Sequence, residues 1–135
     1  MPDHQISKTQ LKIIETSLDK IFNKLGLDVS FSGHFLDRLN DPRNRQQITV
    51  NELVSVYNSL YEKFGIQLSH EAKSVEEVIK SLSTDINIPI RIQYNRKTKM
   101  IDLLAKTVMR KKNFMSTSPV LTVESFKDFI IRKYK

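Results

Sequence analysis

The chain has 135 residues, with 22 Lys+Arg against 15 Asp+Glu, a formal charge of +7, three Gly, four Pro and neither Cys nor Trp. That length suits one domain able to bury a core unaided, and the lack of Cys excludes disulfides, thiolate metal ligands and thiol nucleophiles. No apolar run reaches the ~20 residues of a membrane helix, and the polar start MPDHQISKTQLK is unlike a signal peptide; a cytoplasmic protein with no membrane partner is expected.

Leu11, Ile14, Leu18, Ile21, Phe22 and Leu25 recur at three- and four-residue spacing, which predicts an amphipathic helix over 8–25 stopped by Gly26. Leu27 to Phe31 reads as a short extended link. Ser32 is placed to cap a short helix from about Gly33 to Asn40, ended by Pro42 and the polar DPRNRQQ segment. Thr49 and Glu52 form a capping box that opens a helix running to Phe64, with Gly65 closing it. A second S-x-x-E box, Ser74 to Glu77, predicts a shorter helix through Val75, Val78, Ile79 and Leu82.

The period then changes. Ile86, Ile88, Ile90 and Ile92 alternate with polar or small residues as in a half-buried strand, and Pro89 marks an edge or a bulge. Asn95-Arg96-Lys97-Thr98 reads as a hairpin turn, Lys99 to Arg110 as the return strand, and Val120 to Val123 as a third strand. Val123, Phe126, Phe129 and Ile130 fit a terminal helix capped by Thr122. The expectation is a single α+β domain: a helical part over about 8–83, a small antiparallel sheet over about 86–123, and a C-terminal helix over about 123–134.

Charge is unevenly spread. Residues 91–112 carry Arg91, Arg96, Lys97, Lys99, Lys106, Arg110, Lys111 and Lys112 against Asp102 alone, whereas residues 1–90 are slightly acidic. A localised basic stripe favours a polyanion, because each phosphate it neutralises releases condensed counterions. RNA is the expected partner, with DNA, a solvated strand edge protected by lysines against aggregation, or an acidic protein as alternatives. Phe114 and Tyr94 are the nearest aromatics that could stack a base.

Of three histidines, His4 lies in a terminal segment and His70 in a polar loop beside Glu71. His34 falls in the first turn of the short helix, where Asp37 and Arg38 follow at i+3 and i+4. A carboxylate could fix the imidazole tautomer while Arg38 grips a phosphate; the alternative is a half-buried capping His beside a surface ion pair. On the return strand, period two places Asp102, Leu104, Lys106 and Arg110 on one face. No phosphate-binding loop, dinucleotide fingerprint, nucleophile elbow, zinc-protease motif or calcium loop is present, so neither a metal nor a cofactor is expected. RNA chemistry through the 2′-hydroxyl needs only a base, an acid and cations.

The segment Phe31-Ser32-Gly33-His34-Phe35-Leu36-Asp37-Arg38 resembles the aromatic-Ser-x-His-x-Leu-Asp-Arg segment of the RegB family of phage endoribonucleases. It is also similar to the helix motif of the wider barnase/RelE/colicin-type ribonuclease superfamily. The resemblance implies metal-independent RNA cleavage that leaves a cyclic phosphate, with His34 and Arg38 matching the family's His and Arg. Lys106 and Arg110 are placed only by analogy with basic sheet residues. RegB-like enzymes carry a second His on the following helix, and Thr49 to Phe64 contains none, so Tyr57, Tyr61 or a sheet cation would have to serve as the acid. Three readings stand: a small metal-independent endoribonuclease, a non-catalytic nucleic-acid-binding or phage structural or regulatory protein on the same scaffold, and a protein–protein adaptor. In the first two, Arg91, Arg96, Lys97, Lys99, Lys111 and Lys112 hold the nucleic acid.

Overall fold

The structure, a computed structural model, describes residues 5–124. The closing helix expected over 123–134 lies, beyond Glu124, outside the described residues, as does His4. Among the described residues, three α-helices, α1 (Lys8–Phe22), α2 (Phe35–Leu39) and α3 (Val50–Leu68), accompany six strands. These are β1 (Leu27–Phe31), β2 (Val75–Ser81), β3 (Ile86–Asn95), β4 (Met100–Ala105), β5 (Met109–Arg110) and β6 (Val120–Glu124). The fold is α+β, but its sheet is mixed: the order is β1-β4-β3-β2-β6, with β5 on β3, and the pairs β1–β4 and β2–β6 are parallel.

Local chemistry explains most boundaries. Ser7 and Gln10 close a capping box on α1, and after one 3₁₀ turn Gly26 ends the segment at φ +74°, a conformation glycine adopts without Cβ strain. Thr49 and Glu52 close the box that opens α3. Gly65 does not stop this helix, which continues to Leu68; a Cβ at Gly65 would sit 3.0 Å from Leu25 Cδ1, so close helix packing occupies that position.

Three further expectations are corrected. Leu27 to Phe31 is a strand, with Leu27 and Val29 buried and paired in parallel to Ile101 and Leu103. The segment opened by Ser74 is also a strand, not a helix. Val75, Glu77, Ile79 and Ser81 register against Ile92, Ile90, Ile88 and Ile86, so period two overrides the capping box. Pro89 is neither at a sheet edge nor within an unbroken ladder. Its carbonyl accepts from Lys106 N where β4 ends and β5 has not begun, so its missing N–H faces a gap in the neighbouring strand.

The core lies between the sheet and α1 with α3. Ile79, Ile88, Ile90, Ile92 and Leu103 meet Leu18, Phe22, Leu53, Val56, Tyr57 and Leu60 there. A five-residue helix such as α2 is too short to persist alone. It is held by Phe35 and Leu39, both fully buried and each contributing roughly 2–3 kcal/mol, with the Phe35 ring tilted against Phe31 at 4.6 Å between centroids.

The free edge of β1 is blunted by acid. Asp19 of α1 accepts from Val29 N at 2.7 Å, and Asp28 stands directly opposite Asp102 of β4. Partial burial, then the Asp102 and Glu15 charges, push the Asp28 carboxyl above the usual range. A raised folded-state value means the folded chain holds the proton more tightly than the unfolded one, so this group's contribution to stability is full at low pH and lost as pH rises through its folded value. Asp28→Asn is therefore expected to stabilise the protein by about 0.5 kcal/mol at pH 7. Urea melts at several pH values should show that gain shrinking to nothing near pH 3.

Candidate nucleic-acid interface

The parallel β1–β4 pair decides what meets what. Two parallel strands leave the sheet at the same end, so the chain after Phe31 and the chain after Ala105 emerge side by side. Ser32 continues the contact: its N–H donates to Ala105 O at 2.9 Å and its hydroxyl to Lys106 O at 2.7 Å. Ser32 therefore fastens to β4 rather than capping α2, and His34, two residues on, occupies the N-cap position with its ring exposed.

A groove of about 1020 Å³ opens at this end of the sheet. Its walls are His34 and Arg38 from α2, the loop around Arg43 to Gln46, Asp85 before β3, and Lys106 to Lys112 around β5. The expected imidazole, the Arg one turn on, and the cations of 106–112 thus share one cavity. Asp37 does not face it; it lines a separate depression against α1 and gives His34 no hydrogen bond among the described residues.

The remaining cations of the basic stripe are elsewhere. Arg96, Lys97 and Lys99 are exposed on the β3–β4 hairpin, where Asn95 Oδ1 accepts from Lys97 N at 2.9 Å and Thr98 N at 3.2 Å. That tip adjoins Gly26, at the opposite end of the six-residue β4, about 20 Å from the groove. Arg91 is exposed mid-strand opposite Glu76. Tyr94 lies toward the same hairpin, 44% exposed, while Phe114 is half-buried with its carbonyl accepting from Lys80 Nζ.

Within the groove the cations differ in availability. Arg110 spends all five donors on protein: Nη1 and Nη2 grip Glu52 at 3.0 and 2.7 Å, and the rest reach the carbonyls of Thr84, Gln46 and Gln47. It does not share an outward face with Lys106, because buried Val108 interrupts the alternation between them. Burial alone would raise the Glu52 carboxyl, but the Arg110 and Thr49 hydrogen bonds reverse this and hold it below its ordinary value. Arg43 pairs with Asp41 through Nε and Nη2, and this grip sets the Asp41 carboxyl at about 2. Lys106 donates to Glu76, which holds that carboxyl low, and both side chains are close to half exposed. Lys111 and Lys112 are exposed and make no ion pair with a described residue.

The two tyrosines considered as acids do not serve. Tyr57 is fully buried among Phe22 and Phe31, its hydroxyl has no partner among the described residues, and burial pushes the phenol up. Tyr61 packs edge-on to Phe22 at 5.2 Å, on the helical side of the core. Arg43, Arg45 and Gln46 belong to the groove without having been recognised in the sequence. The clue was DPRNRQQ itself, two arginines behind an Asp-Pro turn, which read only as a helix stop.

No family model, curated protein or solved structure matches the chain. Among the described residues, no helix is long and apolar enough to cross a membrane. None of their His, Asp or Glu side chains gather in a group of three or more able to hold a metal ion.

Proposed function

We propose that the chain binds RNA in this groove and acts as a small endoribonuclease requiring no metal. The observation that supports the reading best is the juxtaposition of an exposed imidazole with a wall of cations, supplied by segments more than 70 residues apart in sequence. Phosphates seat on Arg38, Lys111 and Lys112. His34 takes the 2′-hydroxyl proton while that oxygen bonds to phosphorus, and the P–O5′ bond breaks. Lys106, whose half-exposed ammonium must exchange its Glu76 partner for the substrate, stabilises the departing 5′ oxygen and supplies its proton. The products are a 2′,3′-cyclic phosphate and a 5′-hydroxyl.

A second reading, a non-catalytic RNA-binding protein, is favoured by one observation: among the described residues, His34 is the sole imidazole on the groove. Incubating purified protein with unstructured RNA in excess chelator separates the two. Fragments ending in cyclic phosphate are expected. Intact RNA with binding preserved selects the second reading, and intact RNA without binding removes both.

A further inference from the structure

Arg45 is the one arginine on the groove that forms no ion pair or side-chain hydrogen bond with any described residue. Arg43 and Arg110 are committed to Asp41 and Glu52, and Arg38 lies 3.7 Å from Asp41. Arg45 is exposed, lines the groove, and keeps five donors unused.

Its backbone is strained. Arg45 sits at φ +66°, ψ −44°, and Gln46 N donates across it to Asn44 O at 2.7 Å. This is the rarer hand of γ-turn, which places Cβ in a crowded position. Such a conformation persists at a residue other than glycine only where its surroundings over-determine it.

Here the clamps are visible on both sides. Before Arg45, Asn44 is 6% exposed; its amide donates to the carbonyls of Arg38 and Leu39, and its Oδ1 accepts from Arg110 N at 3.0 Å. Arg45 N itself donates to Pro42 O at 2.9 Å. After it, the Arg110 guanidinium holds the carbonyls of Gln46 and Gln47. Glycine would suit that backbone better, yet an arginine with a free fork stands there.

Resting on the reading of the groove as an RNA interface, we infer that Arg45 is a preorganised phosphate anchor. Its strained turn fixes where the side chain leaves the backbone, so that the guanidinium can reach a backbone phosphate of the bound strand for bidentate contact, and the buried Asn44–Arg110 clamps hold that turn in place. Fixing the side chain's root before binding reduces the ordering cost that a lysine on a mobile loop would incur.

Stability and binding should therefore move in opposite directions. Arg45→Gly relieves the turn and removes the fork, so the melting midpoint is expected to rise by about 2–5 °C. RNA affinity falls about five- to tenfold, and the slope of log K against log salt shrinks by about 0.7. Arg45→Ala should lose the same affinity without the rise in midpoint. Wild-type binding retained in both variants overturns the anchor while leaving the groove reading intact. Failure of the wild-type protein itself to bind RNA overturns both, and an Arg45→Gly variant that melts below wild type overturns the strain argument.

Discussion

His34→Ala is expected to lower the rate of RNA cleavage about 10³-fold, the usual contribution of one positioned acid–base group. The fold should not notice. The ring is exposed, makes no hydrogen bond among the described residues and offers no cap to α2, which Phe35 and Leu39 anchor from below. The melting midpoint should therefore stay within about a degree of wild type. RNA affinity should also persist, because the phosphate contacts are assigned to Arg38, Lys111 and Lys112. Cleavage under single-turnover conditions, with binding measured on the same preparation, reads both quantities. A variant that cleaves at the wild-type rate would remove His34 from the chemistry.

The second large effect is on stability. Arg110→Ala is expected to cost about 3 kcal/mol and to lower the melting midpoint by about 10 °C. The Arg110 side chain is only 12% exposed, and it joins Glu52 at the start of α3 to the carbonyls of Thr84, Gln46 and Gln47. Deleting it strands a partly buried carboxylate and leaves three carbonyls unserved. The loss falls at the low end for a broken buried pair because Glu52 keeps the Thr49 N–H and some solvent. Arg110→Lys should recover less than half, since an ammonium cannot reproduce the two-point grip on Glu52 while reaching three further acceptors. Thermal melts of both variants check this; an alanine variant melting within about 2 °C of wild type would show that the network is dispensable. RNA binding should weaken alongside stability, because the clamped loop forms one wall of the groove.

These two residues show what the sequence could and could not convey. Helix α1 was legible from its apolar periodicity, and α3 because its capping box agrees with its periodicity. Strand β2 was not. Its S-x-x-E start is a helix signal, and only pairing with β3 reveals that Val75, Glu77, Ile79 and Ser81 form one face. Strand β1 is five residues long, too short for its alternation to stand out, and it finds its partner 74 residues away. That parallel pairing is what brings His34 beside Lys106, so a site built from residues chosen individually acquired its geometry from a strand read as a link. Arg110 illustrates the converse. Nothing local separates a cation aimed at solvent from one turned inward onto Glu52, because the difference rests on the break at residues 106–108. The basic stripe likewise looked continuous in sequence, yet β4 carries its two halves to opposite ends of the sheet.

The salt dependence of RNA binding tests the groove most directly. For an unstructured RNA, about four phosphate contacts on Arg38, Arg45, Lys111 and Lys112 give an expected slope of log K against log salt of about −3. Lys111→Ala/Lys112→Ala should reduce its magnitude by about 1.4, whereas Arg96→Ala/Lys97→Ala on the distant hairpin should leave it nearly unchanged. A flat salt dependence, or a slope removed by the hairpin pair and untouched by the Lys111 and Lys112 pair, would contradict the account.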